Sequence, residues 1–211
     1  MPSRRNPWLD RRVYHWAHQG GAREGPSNTL HAMAAALAAG SHGIELDVHR
    51  SKDGRLAVLH DATLGRTTDG HGNVADHTLE ELQRLDAAYW WVPGKVDDHD
   101  PSTPSDRYSL RGRAPGDPDL RIPALDEVLD RFDVPLTIEV KDEAAVAPLV
   151  ALLRTRGRTG DVIVTSFMDQ IVRRLRRAGP ELPLAPGRVY NVWFLARVLV
   201  RWPPRRSSYV V

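Results

Sequence analysis

The segment Gly43-Ile44-Glu45-Leu46-Asp47-Val48 sets two carboxylates two residues apart inside an apolar run, and Leu136-Thr137-Ile138-Glu139-Val140-Lys141 repeats that arrangement further along the chain. Side chains two apart on a strand share a face. Ile44, Leu46 and Val48 can therefore pack on helices while Glu45 and Asp47 turn the other way, joined in the second strand by Glu139 with Thr137 and Lys141. Ordinary alternation on the solvent face of two edge strands has the same pattern; two matched strands favour one shared interior. Ionised carboxylates there are expensive without a counter-charge. A hard divalent cation supplies one.

His18 and His60 each fall just past the end of an expected strand. Imidazoles titrate near neutrality, so one can take a proton from a nucleophile while the other gives one to a leaving group. Either histidine alone reads more readily as a structural residue, but two on the same rim as three carboxylates read as an acid and a base. Lys141 shares the face of Glu139 and offers a compact charge for a phosphoryl oxygen, or else is a surface lysine at a strand end.

The elements that must hold these groups are legible as alternating patterns. Val13 to Ala17 reads as a strand ending at His18, followed by a turn through Gly20, Gly21 and Gly25. Ser27 or Asn28 is placed to cap the next helix, whose apolar stripe is Leu30, Met33, Ala34, Leu37 and Ala38 and which Gly40 ends. The strand Ile44 to Val48 follows. After a tight turn over residues 52–55, Leu56 to Leu59 form a third strand that delivers His60. Thr78 and Glu81 have capping-box spacing for a helix through Leu82 and Leu85. The pattern is then lost: residues 87–121, with Tyr89-Trp90-Trp91, read as an inserted loop or cap packed at least partly on the body. Regular structure resumes with helices near Leu125–Phe132, Leu149–Leu153 and Gln170–Arg177 and strands at Leu136–Val140, Val162–Thr165 and Leu182–Ala185. This is an α/β chain with a parallel sheet. Chemistry-bearing residues at successive strand ends fit a (β/α) barrel better than a doubly wound sheet, and no glycine fingerprint for a nucleotide follows any strand.

The 211 residues, 41% hydrophobic, suit one domain over residues 1–211. A formal charge of +2 points neither to nor away from nucleic acid, and none is expected as a partner. Arginines cluster at Arg173, Arg174, Arg176, Arg177, Arg201, Arg205 and Arg206, and a solvated helix face explains them better than a phosphate-rich partner. The absence of cysteine excludes disulfides and thiolate metal sites. Met1 to Arg12 is basic without the apolar core of a signal peptide, so a cytoplasmic location is expected. Val192 to Val200 is too short to span a bilayer, carries Arg197, and reads as a packed helix. No specific protein partner is implied.

The ordered motifs His18-Gln19-Gly20, Gly25-Pro26-Ser27-Asn28-Thr29, Gly43 to Val48, Lys52-Asp53-Gly54, His60-Asp61, Leu64 to Gly70, Ile122-Pro123-Ala124-Leu125 and Ile138 to Lys141 together resemble the glycerophosphodiester phosphodiesterases from about Tyr14 to Pro186. The resemblance implies a (β/α)8 TIM-type barrel with the insertion after the third strand as the family's cap, related to the phosphatidylinositol phospholipases. It implies that Glu45, Asp47 and Glu139 bind Mg²⁺ or Ca²⁺, that His18 and His60 are the catalytic acid and base, and that Lys141 holds the phosphate. Gln19, Asn28 and Asp61 support the site. The implied reaction is hydrolysis of a glycerophosphodiester to glycerol 3-phosphate and an alcohol. The alternatives are a lysophospholipase D acting on lysophospholipids, marked by an apolar groove beside the site built from Tyr89, Trp90 and Trp91, and a non-catalytic metal- or phosphate-binding remnant.

Two departures from the family pattern stand out. Gln19 and Ser27 occupy the places where the family usually has arginine and glutamate, and the paired change avoids leaving one charge buried alone. Neutral hydrogen bonds are expected in their stead. Only six strands can be counted, while an eight-stranded barrel typically needs ~250 residues. A barrel incomplete at its C-terminal end is expected, with open sheet edges and a strand beginning at Ser208–Val211.

Overall fold

The computed structural model describes residues 13–95, 100 and 102–199. The basic N-terminal stretch, Val200, the arginines at 201, 205 and 206 and the strand expected at Ser208–Val211 lie outside the described residues. Among the described residues five strands form one sheet: β1 (Trp16–Ala17), β2 (Gly43–Arg50), β3 (Leu56–Val58), β4 (Leu136–Val140) and β5 (Val162–Thr165). β1, β2, β4 and β5 run parallel in that order. Among the described residues six α-helices accompany them: α1 (Leu30–Ala38), α2 (Leu79–Leu82), α3 (Leu125–Arg131), α4 (Val146–Thr155), α5 (Asp169–Ala178) and α6 (Arg188–Leu199).

The alternation read from the sequence sets which side of the sheet is dry. Ile44, Leu46 and Val48 of β2 and Ile138 and Val140 of β4 are fully buried. They pack in one cluster with Leu30 and Met33 of α1, Val128 of α3, Leu149 and Leu153 of α4 and Ile171 and Leu175 of α5. Each such side chain contributes about 1.5–3 kcal/mol by leaving water, which fixes the strand register. A one-residue slip would turn every acid into this core. Gly43 lets β1 approach, because a Cβ there would lie 2.6 Å from the Trp16 ring and 2.7 Å from the Pro135 carbonyl.

Several expectations are refined. The cap of α1 is Thr29, whose hydroxyl accepts the Ala32 N–H, rather than Ser27 or Asn28; Asn28 is needed elsewhere. Gly40 ends α1 as expected, in the left-handed region at φ 101°. The Thr78 and Glu81 capping box forms, on a helix that stops at Leu82. β3 is antiparallel to the outer end of β2, pairing Val48 with Val58, so His60 follows an antiparallel strand rather than a parallel one. Leu182–Ala185 reduces to a bridge between Val164 and Leu184. The parallel sheet is open: among the described residues no strand joins β1 to the Leu184 edge.

The insertion is anchored at its base. The Asp86 carboxylate accepts the Ala88 and Gly112 N–H groups, and Trp90 Nε1–H donates to the Thr68 carbonyl. Arg111 lies against the rings of Tyr89, Trp90 and Tyr108, 3.8 to 4.8 Å from their centroids, a stacking that suits a guanidinium. The apolar run at the C-terminal side departs from expectation. It forms α6, but Val189, Val192, Trp193 and Leu195 are 40% to 68% exposed. No helix among the described residues is long and apolar enough to cross a membrane.

Candidate active site

Parallel pairing of β2 with β4 puts Asp47 beside Glu139 and Glu45 beside Thr137. One oxygen from each of Glu45, Asp47 and Glu139 lies within 4.8 Å of the others, with Asp47 and Glu139 buried and Glu45 partly so. The Glu45 carboxyl is pushed up to about 7, first by burial and then by the charges of Asp47 and Glu139, against the opposing pull of the Gln19 N–H and Lys141. Lys141 Nζ sits 3.0 Å from Asp47 Oδ1 and 2.9 Å from Glu139 Oε2. Burial lowers the lysine, but the hydrogen bonds to both acids outweigh it and hold it above its ordinary range. Three converging carboxylates against one ammonium remain under-neutralised. An all-oxygen donor set of this kind fits Mg²⁺ or Ca²⁺.

The turn after β1 supports the acids from below. Gln19 adopts φ 49° and Asn28 φ 58°, left-handed values that are uncommon outside glycine and better tolerated by asparagine. The strain aims backbone groups: Gln19 N–H donates to Glu45 Oε2 at 2.8 Å, and its carbonyl accepts Asn28 N–H at 2.7 Å. Asn28 clamps Asp47 twice, donating Nδ2–H to the carboxylate at 2.9 Å and accepting the Asp47 N–H at 3.3 Å. Gln19 and Ser27 are both buried on these adjoining segments, a setting in which neutral side chains avoid an unpaired charge.

The histidines sit differently. His18 is open to solvent, 78% exposed, with Nε2 4.0 Å from Glu45 Oε2. His60 is braced. Leu59 N–H donates to the Asp47 carbonyl, and the buried His49 donates Nε2–H to the His60 carbonyl at 3.1 Å. His60 Nδ1 meets Asp61 Oδ1 at 2.6 Å, and Arg66 grips the same carboxylate through Nε at 2.5 Å and Nη2 at 3.2 Å. Burial raises the Asp61 carboxyl, but the hydrogen bonds from Arg66 and His60 prevail and hold it below the usual carboxylate range. An ionised Asp61 takes Nδ1–H, which leaves Nε2 as the ring nitrogen of His60 that Asp61 does not engage. Asp61→Asn is accordingly expected to lower kcat about a hundredfold with little change in KM, and Arg66→Lys about tenfold, read in steady-state kinetics.

A cleft of about 960 Å³ opens over this centre. Its polar lining includes His18, Glu45, Glu139, Arg188 and Asn191, and its apolar walls include Phe167 and Met168 beyond β5 and Val192 and Leu195 of α6. The groove expected from Tyr89, Trp90 and Trp91 does not form there: Tyr89 and Trp90 close on Arg111, and Trp91 is buried at 7% exposure. Phe167 and Met168 went unread in the sequence, although their place just past the end of a parallel strand is where such sites are built. Arg66 carried no signal beyond its motif.

The family model described as the Glycerophosphoryl diester phosphodiesterase family matches residues 18–199. A glycerophosphodiester phosphodiesterase of Bacillus subtilis (strain 168) is 32% identical over 184 residues, covering 82% of this chain and 58% of that protein. The glycerophosphoryl diester phosphodiesterase domain of a Mycobacterium tuberculosis protein superposes with a TM-score of 0.76 at 26% identity, over 89% of this chain and 64% of that one. A glycerophosphodiester phosphodiesterase of Agrobacterium tumefaciens str. C58 gives 0.66 at 31% identity, over 82% and 66%. The chain thus spans 58% of the length of the first relative and 64% of the second.

Proposed function

The chain belongs to the glycerophosphoryl diester phosphodiesterase family, and from that premise we propose that it hydrolyses glycerophosphodiesters to glycerol 3-phosphate and an alcohol, using a divalent cation held by Glu45, Asp47 and Glu139. The observation that carries this reading is the convergence of those three carboxylates on one point beside Lys141. Mg²⁺ or Ca²⁺ bound there would polarise the phosphoryl group and screen its charge. Lys141 spends two of its three N–H donors on Asp47 and Glu139 and keeps one for a phosphoryl oxygen.

The two histidines divide the proton transfers. One takes the proton of the attacking oxygen and the other gives a proton to the departing alcohol as its P–O bond breaks; the attacking oxygen is water, or else the substrate's own neighbouring hydroxyl, whose cyclic phosphate is then opened by water with the histidine roles reversed to give glycerol 3-phosphate. Arg66 and Asp61 hold the His60 ring, so its orientation is set before substrate arrives. Asn28 and the Gln19 N–H do the same for Asp47 and Glu45. Phosphorus NMR of glycerophosphocholine incubated with the protein and either cation tests the reading. The expected result is the glycerol 3-phosphate resonance; an unchanged diester resonance at every cation concentration contradicts it.

A further inference from the structure

We propose that His49 and Asp142 act as a positioning pair for hydrolysis, fixing the main chain of His60 against the end of β4 that carries Glu139 and Lys141; this rests on the phosphodiesterase reading and deepens it. His49 follows Asp47 by two residues on β2 and so shares the acid-bearing face. It is 6% exposed, and a polar ring so buried is held by partners. Its Nε2 lies 3.1 Å from the His60 carbonyl oxygen, and its Nδ1 faces Asp142 Oδ2 at 3.6 Å. A carbonyl only accepts, so Nε2 carries the hydrogen.

Asp142 is itself anchored. Its two oxygens accept the Arg50 N–H at 2.8 Å and the Ala145 N–H at 2.9 Å. Burial raises its carboxyl, but the hydrogen bonding of His49, Arg50 and Ala145 outweighs it and holds it below the usual carboxylate range. One residue earlier, Lys141 N–H donates to the Val48 carbonyl at 3.1 Å. The end of β4 is thus tied to β2, and the His49 ring carries that tie on to His60.

Packing alone does not call for this ring, since an apolar side chain of similar bulk would fill the space without a hydrogen bond to satisfy. What only a donor supplies is a fixed place for the His60 carbonyl. Asp61 and Arg66 set the orientation of the His60 imidazole, whereas His49 sets where the residue stands relative to the acids. Both are needed, because a misplacement of about 1 Å costs about a hundredfold in rate. His18 has no such tie to His49, so the effect falls on the proton transfer that His60 performs.

His49→Leu keeps bulk and removes the donor; His49→Gln can place a side-chain N–H near the position of Nε2–H. With glycerophosphocholine and Ca²⁺, His49→Leu is expected to lower kcat about ten- to hundredfold with KM within about twofold, and His49→Gln to recover most of the loss. In a His60→Ala background His49→Leu should cost less than about twofold more, since residues acting through one group are not additive. Asp142→Asn, a near-isosteric change, should lower kcat about fivefold and likewise lose its effect beside His60→Ala, which reads the same link if His49→Leu does not fold. A folded His49→Leu variant with parental kcat, or a loss that persists in full without the His60 ring, overturns the positioning pair and leaves the phosphodiesterase reading standing. A parent chain that releases no glycerol 3-phosphate overturns the hydrolytic reading itself.

Discussion

Glu45→Gln is expected to lower kcat/KM for glycerophosphocholine by about a thousandfold or more and, at the same time, to stabilise the chelated protein. Both effects come from one carboxylate. In the fold its pKa is pushed up to about 7 from 4.5, chiefly by burial and then by Asp47 and Glu139. A raised folded pKa means that the group's contribution to stability is fully present below about 4.5 and is lost as pH rises through 7. The shift corresponds to about 3 kcal/mol at about 1.36 kcal/mol per pKa unit, and partial exposure reduces the realised figure to about 1–3 kcal/mol. The glutamine keeps the shape and an acceptor for the Gln19 N–H but carries no charge. In EDTA at pH 8 the variant should therefore melt several degrees above the parent, and at pH 4 the two should nearly coincide. Adding Ca²⁺ should reverse the order at pH 8 by stabilising only the parent, because ligand carboxylates must be ionised to bind it.

His18→Ala and His60→Ala are each expected to reduce kcat on glycerophosphocholine by about 10²–10⁴-fold. Folding should be untouched by the first, since His18 is 78% exposed. The two variants should separate when the leaving alcohol is exchanged for p-nitrophenol, which departs without a proton donor. Removal of the acid is then largely rescued, while removal of the base is not. Equal losses on both substrates would refute a division of labour between the histidines. The brace on His60 adds a second signature: Asp61→Asn should follow the His60 variant in leaving-group dependence, because it acts only through that ring.

The sheet and the acid cluster were legible because period-two alternation and strand register are local consequences of burying one face. Glu45, Asp47 and Glu139 follow from that alternation, and the fold brings one oxygen of each within 4.8 Å of the others. What escaped reading depends on contacts distant in sequence. Asn28 looked like a helix cap until the structure showed its side chain committed to Asp47 and Thr29 capping instead. β3 runs antiparallel because β2 extends to Arg50, three residues past Asp47, and the tight turn folds the chain back on it. Tyr89, Trp90 and Trp91 read as the wall of an apolar groove, but Tyr89 and Trp90 close on Arg111 and Trp91 is buried. The cleft over the acids is walled instead by residues that include Phe167 and Met168 after β5 and Arg188, Asn191, Val192 and Leu195 of α6.

The most direct test of the central claim is turnover of glycerophosphocholine by the purified chain through one cycle of chelation and cation return. The account expects glycerol 3-phosphate to be released with Mg²⁺ or Ca²⁺, to stop in EDTA and to resume when the cation is restored, with Glu45→Gln inert throughout. Release that continues in EDTA, or no release with either cation, would contradict it.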